Sequence, residues 1–558
     1  MHFLYHYQRL AKVLPWRRLT VAAGFAIASL SLNLGSVRAV ELGASQAVAS
    51  GHATSTAITL TNPQLVTPTV YDQMPTQNLS AAERVAFGAA QMRSHRSGPL
   101  GLPSARQIAP SKDPGPGLSP TVAPNASTDF VSAQLTLPAA TAGGFSAVTE
   151  PSGDDAGQYR FHTGNWFAAF SVNRGVNWSY LNPFTIFGSG FCCDQVAIYD
   201  TGRNAWFWLL QYTDGSLRLA VSTNNLASWC AYTITPATTG FTGEIDYNDL
   251  ALGTNFIYVV SNIFPAAGGQ GSQVIRMPLD SLTTCGAWSG NYFRSETLGF
   301  TWKPVAGAND AMYWGTNWFG TLGSSFRVFK WQENSSGLAW FDRTLGTTFS
   351  FFTRNSGQNC AGTGGVVQNW CQFADSRVLG GARYQAVDGQ SYVVFSFNAG
   401  QGGPFSLPNP YTERAYFRES DLNYVASDRL FGSTTAFQFM SMATDARGHI
   451  GMTAMWGGGS SNFYPGGIVV LQDDVSPNQP WASVFHSFGS GNPCTQGGLY
   501  RTGDYTTTRP FRPADKSFMG YNFNFSANAG DCGSFAPMRV NAVRFGRSRD
   551  LPGIARWN

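Results

Sequence analysis

Residues 190–229 restrict the possible folds of this chain more than any other stretch of its sequence. They contain the apolar runs DQVAIYD, AWFWLLQY and SLRLAVST, separated by the polar turns TGRN and TDG, and they close on ASW. Runs rich in Val, Ile, Tyr, Trp and Leu that are bounded by Gly and Asn predict short β-strands joined by tight turns. The stretch therefore predicts one antiparallel sheet of four strands.

Similar units recur along the chain, at a spacing of about 50 residues, which is typical of a repeat protein. Two longer steps fit insertions near 353–369 and 488–498. Seven units of four strands predict an all-β fold, a seven-bladed β-propeller over residues 127–558, with a pair of β-sandwiches as the alternative. The third strand of each blade is predicted at Phe167–Ser171, Leu217–Ser222, Gln273–Met277, Phe326–Trp331, Ala415–Glu419, Ile468–Gln472 and Val540–Phe545.

The composition agrees with this architecture. Charged residues make up 12% and aromatic residues 14% of the chain, and it contains 62 Gly. Such a composition suits many short strands and turns, and it does not suit a helical or disordered chain. The net charge is +4, and several of the basic residues lie near the start. Charge therefore gives no reason to expect a nucleic-acid partner.

The first 39 residues have the pattern of a signal peptide, with a basic start, an apolar run at 19–34 and a small–x–small site at Val37–Ala39. The pair Arg17-Arg18 allows the twin-arginine export route. An uncleaved membrane anchor is the alternative, although the apolar run is short for a span. Residues 40–126 are rich in Ala, Ser, Thr, Pro and Gly, which predicts a flexible linker or a removable pro-segment. We expect a secreted, periplasmic or cell-surface protein without a membrane span in its mature form.

All eight cysteines follow the predicted signal peptide. An even count in an exported chain favours disulfides over metal ligands or catalytic thiols. Pairing neighbours is one of the possible connectivities, and the alternative that the adjacent Cys192 and Cys193 each pair elsewhere stays open. Neighbour pairing gives Cys192–Cys193, Cys230–Cys285, Cys360–Cys371 and Cys494–Cys532.

Two of the predicted third strands end in a turn followed by Trp. The segment from Ser171 to Trp178 (SVNRGVNW) resembles the Asp-box, Ser-x-Asp-x-Gly-x-x-Trp, of the sialidase-type (BNR repeat) propellers, with Asn173 in place of Asp. The segment STNNLASW is a more divergent copy, in which Leu226 occupies the Gly position. The resemblance implies a propeller fold. In that superfamily the box is a structural turn away from the active site.

The innermost strand of each blade lines the central channel of a propeller, and the mouth of that channel is the natural binding site. Five of the predicted inner strands begin with charged residues, namely Asp194, Asp249, Lys303, Arg377 and Asp504. Either these residues converge as a catalytic and substrate-binding ring, or they cap turns through hydrogen bonds to the backbone. The inner strands are predicted at Asp194–Tyr199, Asp249–Gly253, Lys303–Gly307, Arg377–Ala382, Phe439–Thr444 and Asp504–Thr508.

The segment Leu499–Pro513 (LYRTGDYTTTRPFRP) concentrates chemically active residues. Arginine binds carboxylates through two parallel hydrogen bonds, and a tyrosine near a cation can act as an acid, a base or a nucleophile. The resemblance to sialidases implies Arg377 and Arg509 as carboxylate clamps and Tyr505 as nucleophile. It further implies Asp194 or Asp249 as the acid.

Polysaccharide lyases offer another assignment, with Lys303 or Arg377 neutralising a uronate and His486 or His449 as the base. Asp246, Asp249 and Glu244 (in EIDYND) offer oxygen ligands for Ca²⁺, although their spacing is not that of an EF-hand. No other cofactor is indicated.

We therefore expect a monomeric, exported propeller that acts on an acidic polysaccharide or glycoconjugate, as a sialidase-like glycosidase or a lyase. The alternative is a non-catalytic propeller that binds glycans or proteins at the cell surface.

Overall fold

The computed structural model describes residues 34–35, 48–72, 130–136, 148 and 150–551, apart from 346–348, 355–357, 461, 475–481, 486 and 533–537. Strands dominate these residues, and a single short α-helix, α1 (Leu279–Thr283), occurs among them. The first five strands precede the blades in the chain. They are β1 (Leu34–Gly35), β2 (Val48–Thr54), β3 (Thr56–Leu60), β4 (Gln64–Val66) and β5 (Phe130–Thr136).

Seven antiparallel sheets follow in chain order and form the blades of a β-propeller. Blade 1 contains β6 (Ser152–Ala156), β7 (Tyr159–Thr163), β8 (Ala168–Ser171) and β9 (Ser179–Leu181). Blade 2 contains β10 (Phe191–Asp200), β11 (Ala205–Tyr212), β12 (Leu217–Ser222) and β13 (Trp229–Ile234). Blade 3 contains β14 (Gly243–Leu252), β15 (Phe256–Pro265), β16 (Gly271–Pro278) and β17 (Trp288–Ser295). Blade 4 contains β18 (Lys303–Pro304), β19 (Ala311–Thr316), β20 (Ser325–Gln332) and β21 (Gly337–Thr344).

The remaining blades complete the ring. Blade 5 contains β22 (Val378–Gln385), β23 (Ser391–Ala399), β24 (Tyr411–Arg418) and β25 (Tyr424–Gly432). Blade 6 contains β26 (Ala436–Thr444), β27 (Ile450–Gly458), β28 (Phe463–Gln472) and β29 (Ala482–Phe485). A two-stranded hairpin follows, β30 (Cys494–Gln496) and β31 (Leu499–Arg501). Blade 7 contains β32 (Thr507–Pro510), β33 (Phe518–Phe525) and β34 (Met538–Arg547).

The blades pack face to face through alternating side chains of their middle strands. Every residue of β11 is buried. Trp206 and Trp208 pack in a cluster with side chains of blade 1, whereas Phe207 and Leu209 pack in a cluster with side chains of blade 3. Successive side chains of a strand point to opposite faces of the sheet. Because each blade packs against a neighbouring blade on both faces, its middle strands must be apolar on both faces. Each such buried side chain stabilises the ring by about 1.5–3 kcal/mol.

Blade 7 closes the ring with a strand from the other end of the chain. Its three strands β32, β33 and β34 are joined by β5, which pairs antiparallel with β34 from Phe130↔Arg547 to Thr136↔Asn541. Separating the first and last blades therefore requires breaking this ladder.

A segment N-terminal to β5 runs along the outer edges of successive blades, and we call residues 48–72 the belt. Strand β2 pairs with β21 of blade 4, β3 with β17 of blade 3, and β4 with β13 of blade 2. Tyr71 then forms an isolated antiparallel bridge with Tyr180 of blade 1. The belt thus gives three blades a fifth strand and covers edges that would otherwise present unpaired backbone groups.

The structure confirms the predicted seven-bladed propeller. All seven stretches predicted as third strands lie on, or overlap, the third strand of a blade, and all six predicted inner segments overlap an innermost strand. The two predicted insertions fall in the long connections before β22 and before β32. The belt lies within residues 40–126, for which the composition predicts a linker or pro-segment. The predicted signal peptide lies outside the described residues, except for residues 34–35.

The four neighbour disulfides are present, including the one between the adjacent residues Cys192 and Cys193. The bridge Cys230–Cys285 links blades 2 and 3. Within the described ranges, no helix is both long and apolar enough to cross a membrane.

The two Asp-box-like segments form the same turn between a third and a fourth strand. The Ser171 hydroxyl accepts a hydrogen bond from the Gly175 N–H at 2.8 Å and donates one to the Asn173 side-chain oxygen at 2.9 Å. In the second copy the Leu226 N–H donates to the Ser222 hydroxyl at 3.1 Å. Leu226 has φ = 72°, the left-handed conformation that glycine adopts more easily. The first turn therefore forms with Asn173 in the Asp position, and the second forms with Leu226 in the Gly position.

Candidate active site

Four carboxyl groups gather where the innermost strands of blades 1, 2, 3 and 7 begin. Glu150 precedes β6, Asp194 lies in β10, Asp246 lies in β14 and Asp504 precedes β32. Their exposed fractions are 0%, 1%, 3% and 4%. Burial disfavours the charged form of a carboxyl group, and nearby carboxylates disfavour it further. Burial therefore raises the pKa of Glu150, Asp194 and Asp246 above that of free Glu and Asp side chains.

Two strand irregularities place members of the cluster. The pairing of β10 with β11 shifts register between Phe191 and Gln195, and that of β14 with β15 shifts between Asp246 and Asp249. A bulge re-aims a side chain that a regular strand would direct to one face of the sheet. Asp194 lies inside the first irregularity, directly after the buried disulfide between Cys192 and Cys193. The irregularities thus turn the carboxyl groups of two neighbouring blades toward each other.

Glu150 and Asp194 form a hydrogen-bonded carboxyl pair. Burial, and after it the Asp504 carboxyl group, raise the pKa of Glu150 to about 7, although Arg501, 3.6 Å away, acts to lower it. The Glu150 carboxylate also accepts the backbone N–H of Asp504 at 3.2 Å. Burial and then the neighbouring Glu150 hold the pKa of Asp194 well above its usual range. Within the pair, Asp194 is therefore the group that holds its proton more tightly.

The surroundings of Asp246 raise its pKa less than those of Asp194 do. Its carboxylate accepts a hydrogen bond from the Gln211 side-chain amide at 2.7 Å. Burial raises the pKa of Asp246 to about 6, because the hydrogen bonds that lower it do not offset the loss of solvent. Burial and neighbouring carboxyl groups thus hold the pKa of Asp194 well above its usual range, whereas the pKa of Asp246 rises to about 6. Two carboxyl groups with pKa values pushed apart are the arrangement that acid–base catalysis requires.

Three arginines surround the carboxyl cluster. Arg377 donates two hydrogen bonds to Asp375, at 2.7 and 2.6 Å, and its guanidinium lies 4.8 Å from the centre of the Tyr247 ring. Arg501 is fully buried beside Glu150. Burial lowers the pKa of Arg354 to about 10, and Asp504 is the largest influence opposing that shift. The arginines thus compensate carboxylates that would otherwise repel one another.

Two tyrosines lie beside the cluster, Tyr247 of β14 and Tyr505. Their rings meet edge to face with centroids 6.3 Å apart. Burial holds the pKa of Tyr505 well above its usual range, and the carboxyl groups of Asp194 and Glu150 raise it further. Since the phenolate form is so disfavoured, this environment opposes the nucleophilic role that the sialidase resemblance implies for Tyr505.

The central channel holds a cavity of about 540 Å³ on the other side of these tyrosines. Tyr247 and Tyr505 line it, whereas the four carboxyl groups of the cluster are not among its lining residues. It extends to the turns at the far ends of the inner strands, where Gly202, Asn309 and Gly448 line it. The cavity and the carboxyl cluster are therefore adjacent but distinct.

The structure brings together four of the seven residues predicted to carry the chemistry, namely Asp194, Asp504, Tyr505 and Arg377. Asp249 and Lys303 instead form an ion pair with each other and line the cavity. The Arg509 guanidinium donates to the backbone oxygen of Ala197, at 3.2 and 3.4 Å. It also lines the cavity, away from the cluster.

Of the other predicted ligands and bases, Asp246 belongs to the carboxyl cluster. His449 is buried in the turn after β26, where its ring lies 3.4 Å from an oxygen of Asp445, and His486 lies outside the described residues. Asp246 and Asp249, two of the three residues considered for Ca²⁺, contact Gln211 and Lys303. Among the described residues no group of three or more His, Cys, Asp or Glu side chains is arranged to hold a metal ion.

Sequence reasoning did not find Glu150 or Arg354. Glu150 stands alone before β6 in the segment FSAVTEPSGDD, and Arg354 lies in the long insertion before β22. Neither position belongs to the repeat pattern. The one available signal for Glu150 is its position just before an inner strand, the same position that drew attention to Asp194 and Asp504.

Neither a protein-family model nor a curated protein matches the chain. Among solved structures, it is similar to an α-L-arabinanase of Penicillium chrysogenum complexed with arabinobiose. The identity is 9% and the TM-score 0.34, over 74% of this chain and 98% of that one. It is also similar to an endo-arabinase of Bacteroides thetaiotaomicron, at 13% identity and a TM-score of 0.27, over 55% of this chain and 95% of that one.

A third similar structure is AofleA from Arthrobotrys oligospora, with 8% identity and a TM-score of 0.34, over 64% of this chain and 90% of that one. The two enzymes are named as arabinanases and not as sialidases. Likeness at this level does not indicate a shared reaction, so the chemistry has to be argued from the carboxyl cluster itself.

Proposed function

We propose that this protein is an exported glycoside hydrolase in which Asp194 is the general acid. The observation that carries the proposal is the buried pair of Glu150 and Asp194 beside the buried Asp246, three carboxyl groups whose pKa values are raised to different extents. Glycosidases use two carboxyl groups, one kept protonated to protonate the leaving oxygen and one ionised to activate water. In the proposed scheme Asp194, with the more strongly raised pKa, is the protonated group and Asp246 the ionised one.

In the proposed reaction the Asp194 carboxyl group gives its proton to the glycosidic oxygen as the bond to the anomeric carbon breaks. Asp246 takes a proton from a water molecule, whose oxygen bonds to the same carbon. Glu150 does not touch the substrate in this scheme, and it is a positioning residue that keeps the proton on Asp194. After turnover, the proton on Asp246 returns through solvent to Asp194.

Hydrolysis fits this arrangement better than β-elimination does. A lyase needs a cation that is free to neutralise a uronate, but Arg377 is bound by Asp375 and Lys303 by Asp249. This pairing of positive with negative charges also affects which substrate the site can bind. With Arg501 beside Glu150 as well, the cluster offers little surplus positive charge to a sialoside or uronate. We therefore propose a neutral polysaccharide or glycoconjugate in place of the acidic one expected from sequence.

Export is supported by the four disulfides, since such bridges persist in oxidising compartments. The predicted signal peptide points the same way. A secreted or cell-surface location would also place the enzyme beside polysaccharides.

The test is a screen of the purified protein against neutral polysaccharides, sialosides and uronate-containing polysaccharides, with released reducing ends and unsaturated products measured separately. Asp194→Asn should lower kcat on the active substrate by about 10²- to 10⁴-fold, the usual contribution of a positioned acid. Asp428→Asn, which changes a buried aspartate in β25 of blade 5, is the matched control.

Unsaturated products would show that the protein is a lyase and would overturn the proposed hydrolase. Turnover of sialosides or uronates alone would overturn the neutral-substrate proposal but keep the hydrolase. Glycan binding without any turnover would instead favour a non-catalytic binding propeller, in which the compensated charges of the cluster serve only the fold.

A further inference from the structure

The carboxyl cluster is closed to solvent. Its four residues are at most 4% exposed, and none of them lines the channel cavity. A general acid has to come within hydrogen-bonding distance of the oxygen that it protonates. In this closed arrangement a saccharide has no path to Asp194, so part of the surrounding protein must move before the proposed reaction can occur.

The two long connections that interrupt the blade repeat meet beside the cluster. The hairpin β30–β31 lies in the second connection, and its Arg501 is fully buried, with a guanidinium nitrogen 3.6 Å from a carboxylate oxygen of Glu150. In the first connection, Gln372 accepts a hydrogen bond from the backbone N–H of Tyr500 at 2.7 Å. The centre of the Phe373 ring lies 5.6 Å from the Arg501 guanidinium. The hairpin thus closes the cluster on the side of Glu150.

We propose that the hairpin β30–β31 is a lid that swings away from Gln372 and admits the saccharide to the carboxyl cluster, an inference that rests on the proposed function. The disulfide Cys494–Cys532 anchors the base of the hairpin to the connection between β33 and β34. Its turn, Gly497-Gly498, is exposed. The hairpin is a separate two-stranded sheet, and such a sheet has little stability of its own. The base is therefore the hinge, and the strand that carries Arg501 is the moving part.

The buried guanidinium of Arg501 makes the closed position of the lid less favourable. Its Nε and Nη2 groups form no hydrogen bond with any described residue. A buried charged donor without an acceptor loses the hydration that it has in water, and this loss opposes burial. Opening returns both groups to solvent. It also removes a positive charge from beside Glu150, which makes the open site less favourable for an acidic saccharide.

The test measures opening without any substrate. A carbodiimide with glycine ethyl ester converts accessible carboxyl groups into amides, and mass spectrometry gives the labelling rate at each residue. In the wild-type protein Glu150 should be labelled faster than Glu413, a fully buried glutamate of blade 5. Gln372→Ala should raise the Glu150 rate about 3- to 10-fold, the worth of one neutral hydrogen bond. Gln358→Ala is the matched control, because Gln358 also accepts a backbone N–H at 2.7 Å, but from Gln401 and not from the hairpin.

Each other outcome of the labelling overturns the proposal. If Glu150 is labelled as slowly as Glu413 in the wild-type protein, the hairpin is a fixed cover. If Gln372→Ala leaves the Glu150 rate unchanged, the hairpin does not control access. If Gln358→Ala raises that rate equally, the first connection loosens as a whole.

Thermal melting shows whether each variant is folded, and the wild-type comparison of Glu150 with Glu413 keeps the test decisive should Gln372→Ala fail to fold. The proposed function fails separately. Absence of turnover on every glycan, with labelling as predicted, would refute the hydrolase and leave the lid in place.

Discussion

Replacing Glu150 with Gln should lower the pKa of Asp194. Glu150 raises that pKa in two ways, through its negative charge and through the hydrogen bond that it accepts from the Asp194 carboxyl group. Glutamine removes the charge and keeps a side-chain oxygen as acceptor. A unit charge at hydrogen-bonding distance shifts a neighbouring pKa by about 1–3 units, which corresponds to about 1.4–4 kcal/mol. Burial, the larger cause, remains in the variant.

Two measurements report this change. If Asp194 is the general acid, the alkaline limb of the kcat/KM profile should move to lower pH by about 1–3 units, because Asp194 then loses its proton earlier. The ¹³C NMR titration of the Asp194 carboxyl carbon should move by the same amount, and it needs no substrate. Glu413→Gln is the matched control, since Glu413 is a fully buried glutamate paired with Arg429 in blade 5.

The reasoning fails if the NMR titration of Asp194 stays at its wild-type position in Glu150→Gln, because the pair would then not be coupled. A shifted NMR titration with an unshifted alkaline limb would keep the coupled pair but remove Asp194 from the role of acid. An equal shift in Glu413→Gln would mean that the change is a general effect of altered net charge.

Three further predictions concern the fold. Burial raises the pKa of Asp154 from 3.8 to about 6. The contribution of this side chain to the free energy of unfolding is therefore present below pH 3.8 and is lost as the pH rises through 6. Asp154→Asn should therefore reduce the difference in unfolding free energy between pH 4 and pH 7 by about 2.4 kcal/mol in urea titrations, and an unchanged difference would contradict this. Replacing Cys230 and Cys285 by Ser should lower the unfolding free energy by about 4 kcal/mol, given the 55-residue separation, and an unaltered urea midpoint would refute it. Deleting residues 48–66 should expose the outer edges of blades 2–4 and produce oligomers in light scattering, whereas a monomer with the wild-type Tm would show that the belt protects nothing.

The sequence predicted the blades well because the strands of a propeller carry a local signal. The run AWFWLLQY in β11 is apolar on both faces since each blade lies between two others, and turns with Gly and Asn mark its ends. The same periodicity located the inner strands, and with them Asp194 and Asp504. The adjacent disulfide was one of several open pairings, which spacing alone could not decide.

The carboxyl cluster could be predicted only in part, because its contacts join residues far apart in the chain. Glu150 accepts a hydrogen bond from the backbone N–H of Asp504, which lies 354 residues later in the chain. No sequence pattern near either residue predicts this contact. Strand position also says nothing of pairing within the channel, so Asp249 and Lys303 were expected in a catalytic ring and instead bind each other. The belt was not recognised because its composition is rich in Ala and Thr, although the β-branched residues of TAITL favour a strand.

The belt has a consequence for the order of events during synthesis. Its strands run opposite to the blades, so β4 meets blade 2 while β2 must wait for blade 4. Ser55, between β2 and β3, bonds through its hydroxyl to the carbonyl oxygen of Ser336, 281 residues later. At about 5–20 residues per second the ribosome needs roughly 15–60 s to add that length. The belt strands should therefore pair with the blades in the order β4, β3, β2. The strand β2, which is synthesised first, should pair last.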